Sequence, residues 1–405
     1  MIGSGSGMRR KAGALACLVA GAMALATGCS ESPSGPGDGT PVTILVDAAG
    51  GGDYVTIEAG INASSEGDTV LVAPGIYFGD GNRDLDFEGV NITLRAASAR
   101  DSTVIDCGAE GRAFLFENGE DGSSVIDGFI IKNGRAAKGG AIRCDSATPT
   151  IRNVIFRSNH ATQSGGAIYL DGSSPAISDV SFFSNAATQG SGGAIFCLDS
   201  SPSIESIACV GNEAGSGGAI ACVFSSPAIS HASFIGNHAS AAGGALYAAG
   251  SDERRAEPSI ANATLIANSA WRGAGMSLND ADPSLTRVTF VRNDAARGGG
   301  IYCENGCEPS IARTIIAFSN GGAGLECGGG DNPTTTRSCI FGNSGGDALC
   351  GTYSENLFVD PLFCDMNEGD VSLCENSQCL AENNTWSVQI GALGSGCADC
   401  GESRR

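Results

Sequence analysis

Charge and aromatic rings are both scarce in this sequence: charged residues make up 17% of it and aromatic ones 6%. Positive charge is the scarcer sign, with 23 Lys and Arg against 44 Asp and Glu and a formal net charge of −21. Such a chain lacks the electrostatic footprint of a nucleic-acid binder and is repelled by anionic membranes. The three histidines, His160, His231 and His238, stand in no Ser/His/Asp or Cys/His arrangement, so nucleophilic catalysis has no visible residues. No ten-residue amphipathic run occurs, which excludes repeats built on helices. Leucine is too sparse for leucine-rich repeats. Outside the leader, no apolar run approaches the ~20 residues of a membrane-spanning helix.

Glycine is abundant instead, 61 residues in all, and much of it belongs to a repeated phrase. Gly139-Gly140-Ala141-Ile142 returns as Gly165-Gly166-Ala167-Ile168, Gly192-Gly193-Ala194-Ile195, Gly217-Gly218-Ala219-Ile220 and Gly243-Gly244-Ala245-Leu246. A proline and an aliphatic residue follow, as in Pro149/Ile151 and Pro175/Ile177, and each unit closes on an apolar residue three before an asparagine, as in Phe156/Asn159. Asparagine marks the units at Asn133, Asn159, Asn185, Asn212, Asn237, Asn268, Asn293, Asn320 and Asn343, about every 26 residues. A fixed period of this size means stacked repeats, each burying its apolar face against its neighbours. Apolar residues alternate within a unit, as in Ile168/Leu170 and Val180/Phe182, which is the period of a strand. Three short strands per unit, in coils about 4.8 Å apart, make a parallel β-helix. The asparagines suit its corners, where they tolerate left-handed backbone and can bond along the axis as a ladder.

The phrase Gly-Gly-Ala-Ile followed by Phe-x-x-Asn resembles the repeat of the polymorphic outer-membrane proteins. Phe156–Asn159, Phe182–Asn185, Phe234–Asn237 and Phe290–Asn293 match it in full, whereas Cys209 and Leu265 replace Phe elsewhere. The resemblance covers roughly half the chain. It implies an all-β, right-handed, pectin-lyase-like parallel β-helix with an N-terminal helix cap and a Cys-rich C-terminal cap. Catalytic motifs of pectinesterases and polygalacturonases, such as Gly-His-Gly, are missing.

Taken in order, residues 1–28 read as a lipoprotein-type signal peptide, with Arg9-Arg10-Lys11 before an Ala-rich run too short to span a bilayer. Leu25-Ala26-Thr27-Gly28-Cys29 resembles a lipobox and makes Cys29 the lipidation candidate. Residues 29–41 form a flexible Ser/Pro/Gly tether. Residues 42–83 read as cap and first strands, with Thr56 as helix N-cap, 84–350 as the β-helix and 351–405 as terminal coil and Cys-rich cap. About five extra, mostly charged residues near Asp252–Glu257 must loop out.

Of 17 cysteines, Cys17 falls in the leader and Cys29 at its end. An odd number remains, so at least one is unpaired or bridges chains. Cys197/Cys222 and Cys303/Cys327/Cys350 occupy one repeat position and stack on adjacent coils, as disulfides or buried thiols. Cys374-x4-Cys379 and Cys397-x2-Cys400 read as disulfides in an exported protein rather than as a zinc ribbon.

Asp145, Asp171 and Asp199 follow their strands on successive coils and could share a calcium ion, simple turn formation being the alternative. No other cofactor is implied. Arg272 and Arg297 each precede their glycines and stack beside Trp271, which suits a sugar or a carboxylate. Strand parity places Arg143, Tyr169, Phe196, Ala221, Tyr247, Ser277, Tyr302 and Glu326 in one outward column, with Ala141, Ala167, Ala194, Ala219 and Ala245 as a shallow floor. Its aromatic faces are candidates to stack on neutral sugars. The expected function is therefore non-catalytic glycan or surface binding, exported and held to the outer membrane by lipid alone. A polysaccharide lyase or glycoside hydrolase, and a plain spacer, are the alternatives.

Overall fold

The computed structural model describes residues 40–98, 100–398 and 400. The signal peptide, Cys29 and nearly all of the tether lie outside them. The described chain is an all-β parallel solenoid of about 14 turns. One coil shows the plan. Thr150–Arg152 and Ile155–Arg157 form two lanes of a 20-stranded sheet, His160–Ser164 joins an 8-stranded outer sheet, and Ile168–Asp171 joins a 10-stranded sheet. Coil pairs with coil in parallel, Ile151 to Ile177, Phe156 to Phe182 and Ile168 to Ile195. Among the described residues the outer sheet begins only at Arg135–Lys138, and the coils before it vary in length and do not share the repeat period.

Alternation drives the packing. Ile168 and Leu170 are fully buried, as are Phe156, Phe182, Phe234 and Phe290, which fall in one interior column with Cys209 and Leu265 between them. Phe156 and Phe182 stack with ring centroids 5.1 Å apart. Each such side chain contributes about 1.5–3 kcal/mol on burial, but only when the next coil is present to cover it.

The asparagine ladder runs beside this column. In Asn159, Asn185, Asn212, Asn237, Asn268 and Asn293 the side chains are fully buried. The Oδ1 of Asn212 accepts from both the backbone N–H and the Nδ2 of Asn185, each at 3.0 Å, and its own Nδ2 donates to the Phe182 carbonyl at 3.1 Å. The same three bonds recur at Asn185, Asn237, Asn268 and Asn293. The acceptor carbonyl always lies three residues before the ladder position of the preceding coil, on the residue whose own apolar side chain is buried in the core.

Two of the nine asparagines are not ladder members. Asn133 is one place early: Gly134 holds the ladder position and donates its N–H to Asn159, while Asn133 takes a left-handed corner at φ 55°. Asn320 is one place late. Ser319 occupies the position, its N–H donating to Asn343 Oδ1 and its buried hydroxyl without a partner. Asn343 closes the ladder, with Asp347 accepting from its N–H and Nδ2. Nor do the ladder asparagines themselves take the left-handed corner. The preceding residue does, as at Ser158, Ser184 and Arg292, with φ 54°, 51° and 53°.

The glycine pair has a separate cause. Gly165 has φ +68°, and a Cβ there would strike the Ile168 carbonyl and the Tyr169 backbone; a Cβ on Gly166 would strike Gly193 and Ala186. The outer strand thus turns back flush onto the next strand, which only glycine permits.

A second ladder runs at the repeated Ser-Ser-Pro. Ser173, Ser200 and Ser225 are buried, and the hydroxyls of Ser200 and Ser225 accept the N–H of Ser173 and Ser200 at 2.9 and 3.0 Å. At the N-terminal end helix α1 (Ile57–Ala63) is only seven residues long, capped by Thr56 and buried through Ile57, Gly60 and Ile61. The Cys-rich segment does not simply continue the stack: Arg292 donates to the Met366 carbonyl and Ala392 to Thr289 Oγ1, so the segment doubles back over the outer face of the large sheet. There Val291, Ile315 and Ala317 pack against Phe363, Leu373 and Ile390.

Replacing Asn212 by Ala removes four ladder bonds and leaves the Asn185 N–H and the Phe182 carbonyl of the preceding coil without their ladder partner. We expect a loss of about 3 kcal/mol, read as a lower urea midpoint. Asn320→Ala, at an exposed position outside the ladder, should cost under about 0.5 kcal/mol.

Candidate ligand groove

The aromatic column exists in register, Arg143–Tyr169–Phe196–Ala221–Tyr247–Ser277–Tyr302–Glu326. It is not an open strip. Tyr169 is 2% exposed and Tyr302 3%, because the outer sheet covers them. Lys138 lies 4.7 Å over the Tyr169 ring and donates to its hydroxyl at 2.9 Å, and Phe196 stacks on it at 5.3 Å. Arg272 and Arg297 lie over Tyr302 at 5.6 and 4.9 Å. Phe196 and Tyr247 remain half-buried, since the outer strands end there in Ser164, Ser191, Ser216 and Ala242. Parity gives the direction away from the core, not what lies outside it. The alanine floor is also absent: Ala141, Ala167, Ala194, Ala219 and Ala245 are fully buried core residues. The Ala167 carbonyl accepts from both Ala141 and Ile142, a bulge that resets the alternation.

The other candidates separate. Arg272 and Arg297 are neighbours, but Glu304 and Glu326 bind them at 3.0 and 2.7 Å. Trp271 is 60% exposed on the outer sheet, whereas the insertion lies beyond the 10-stranded sheet, Arg254 pairing with Asp199 and Arg255 with Asp282. Asp145 aligns with Asp171, but Asp171 aligns with Leu198, so Asp199 is one place out of line. Asp145 is paired with Arg143 at 2.8 Å. Among the described residues no carboxylate set converges as a calcium site would require. His231 and His238 stand apart, near Glu205 and Ser269.

The cysteines divide in two. Cys327–Cys350, Cys364–Cys397 and Cys374–Cys400 are disulfides. Cys379 stands outside the terminal cluster, Cys364 taking its place, and nine cysteines among the described residues are free and buried. Burial pushes the Cys107 thiol up to about 12, and a hydrogen bond from the Cys197 thiol to Cys222, together with burial, raises that of Cys197. These are inert packing thiols.

One groove, of about 550 Å³, joins four successive coils at the N-terminal end and is lined by Phe78, Asp106, Gly108, Asn133, Arg135, Ser158 and His160. Phe78 lies on Gly75–Phe78, which pairs only with Thr103–Asp106 and so keeps an uncovered flank; its ring is 61% exposed. The ring sits so close to Gly108 that a Cβ there would be 2.7 Å from it. Asp106 forms the floor, accepting from Asn133 Nδ2 at 2.9 Å, the Gly108 N–H at 3.1 Å and Lys132 Nζ at 3.1 Å. Partial burial acts to raise its pKa, but those hydrogen bonds and the Lys132 charge outweigh it and hold the carboxyl below its ordinary value. Arg135 pairs in register with His160. Thr188 meets His160 Nε2 at 3.3 Å, while its buried Nδ1 has no partner. Phe78, Asp106 and Arg135 were missed because they precede the regular period. One signal was present: Lys132, Arg135, Lys138 and Arg143 cluster here, and no Lys or Arg occurs from 158 to 253.

The family model for the Chlamydia polymorphic membrane protein repeat matches residues 153–171, 179–198 and 231–249. The chain is a parallel β-solenoid carrying polymorphic-membrane-protein repeats. No curated protein matches it in sequence. Among solved structures this solenoid is similar to the PL6-family alginate lyase AlyGC, at 10% identity and a TM-score of 0.46, covering 84% of this chain and 52% of that one. It is also similar to the pectin methylesterase from carrot, at 11% identity and a TM-score of 0.32, covering 82% and 91%. The chain thus spans about half the length of the lyase.

Because folding lowers its pKa, the contribution of Asp106 is complete above the unfolded carboxylate value and is lost as pH falls through the folded value. In acid titration from about pH 5 to pH 2, Asp106→Asn should therefore lose less stability than the natural chain, as followed by circular dichroism. Equal losses would show that the carboxylate is not held in this way.

Proposed function

We propose that this solenoid is an exported surface module, lipid-anchored to the outer membrane through Cys29, that binds a glycan in the Phe78–His160 groove without transforming it. The observation that carries this reading is the combination of an exposed ring with cationic and amide donors along four coils. Spaced by coils, the groove is about 14 Å long. A ring of this kind stacks on the apolar face of a sugar, and Arg135 and Asn133 offer directional hydrogen bonds to its hydroxyl or carboxyl oxygens. The carboxylate is already held by Lys132 and Asn133 and sits below its ordinary pKa, which suits a fixed acceptor better than a general acid near neutral pH.

A glycan array on the full chain, followed by calorimetry on the best hit, tests this. Phe78→Ala and Arg135→Ala should each weaken binding by about tenfold, with the melting temperature unchanged because both side chains are exposed. Binding unaffected by either change moves the site elsewhere, and steady release of shortened product overturns the non-catalytic reading.

A further inference from the structure

The Cys-rich segment gathers three sulfurs close together, with a fourth, Cys400 Sγ, bonded to one of them. A three-stranded sheet of Phe363–Asp365, Asp370–Cys374 and Ser395–Cys397 brings them together. Cys364 is bonded to Cys397 and Cys374 to Cys400, yet the two disulfides do not stand apart. The Sγ atoms of Cys364, Cys374 and Cys397 all lie within 4.8 Å of one another. Across the two bridges, Cys374 Sγ is 3.6 Å from Cys397 Sγ, and Cys397 Sγ is 4.0 Å from Cys400 Sγ.

Those spacings have a chemical meaning. Four thiolates around zinc at about 2.3 Å form a tetrahedron whose edges are about 3.8 Å, and two of the four non-bonded separations, 3.6 and 4.0 Å, already bracket that length. Opening each bonded pair from about 2 Å to the same edge moves each sulfur by about 0.9 Å, which side-chain rotation supplies. Cys397-x2-Cys400 has the two-residue spacing of a zinc knuckle, and Asn376 fixes that turn by accepting from the Cys400 N–H at 3.3 Å. Cys364 and Cys374 are buried while Cys397 and Cys400 are half-buried, so an ion has a route from one side.

We propose that the reduced segment is a tetrathiolate zinc site built from Cys364, Cys374, Cys397 and Cys400, so that the flank is stapled by two disulfides when oxidised and by one zinc ion when reduced. With a phosphine as reductant, each disulfide and one water give two thiols and one phosphine oxide. Binding of Zn²⁺ then releases the four thiol protons, and the metal's oxidation state does not change.

The full chain, reduced with a phosphine and desalted, should take up close to one zinc per chain by elemental mass spectrometry. With cobalt it should show the intense visible bands of a tetrahedral thiolate site. The oxidised chain should show neither. Cys397→Ser should lower metal affinity by more than about tenfold, whereas the Cys327→Ser, Cys350→Ser double variant should match the natural chain. Should Cys397→Ser fail to fold, alkylation of the natural reduced chain decides: zinc should shield these four cysteines and a chelator should expose them. No stoichiometric metal uptake by the reduced chain, or equal labelling with and without zinc, overturns the proposal.

Discussion

A buried asparagine amide that bonds to the coils on both sides of its own is the interaction on which this molecule depends. A coil of about 26 residues cannot bury its apolar face alone, and its corner carries backbone groups that would be orphaned in the core. Asn185, Asn212 and their equivalents satisfy those groups by accepting from the N–H and amide of one neighbour, donating to a carbonyl on that same coil and donating to the asparagine oxygen of the next. Because the bonds close only when coils are in step, the ladder also fixes register. Every other feature of the repeat region is then a column: stacked phenylalanines inside, serines at the next corner and arginine pairs outside.

The groove arises where the ladder starts. At the first coil with an outer strand, Gly134 stands in the ladder position and Asn133 in the left-handed corner before it. Its amide is therefore free to bond to Asp106 rather than to a neighbouring asparagine. That one-residue offset supplies the floor of the groove, and the edge strand carrying Phe78 supplies its wall. Site and scaffold thus share one cause: the regular stack is regular only after this coil.

The fold was legible because its signals repeat. Phe-x-x-Asn and Gly-Gly-Ala-Ile recur often enough to give strand length, register and core side from spacing. What failed did so for local reasons. Asn133 and Asn320 fit the spacing to within one residue, but a one-residue slip turns a side chain to another environment, and at Ser319 the backbone N–H alone keeps the link to Asn343. Tyr169 and Tyr302 point away from the core as parity requires, yet Lys138, Arg272 and Arg297 from the outer strand close over them. Strand parity describes one sheet and carries no information about the sheet that crosses it. The groove was illegible because its residues come from coils with no shared period.

Hydrogen exchange on the native chain tests the central claim most directly. If the ladder holds the coils together, peptides containing Asn185, Asn212 and Asn237 should exchange only at the rate of global unfolding. The looped residues Ser251–Arg254, which bond mainly to one another, should exchange at once. Ladder peptides that exchange as fast as this loop, under conditions where the strands remain folded, would contradict the account.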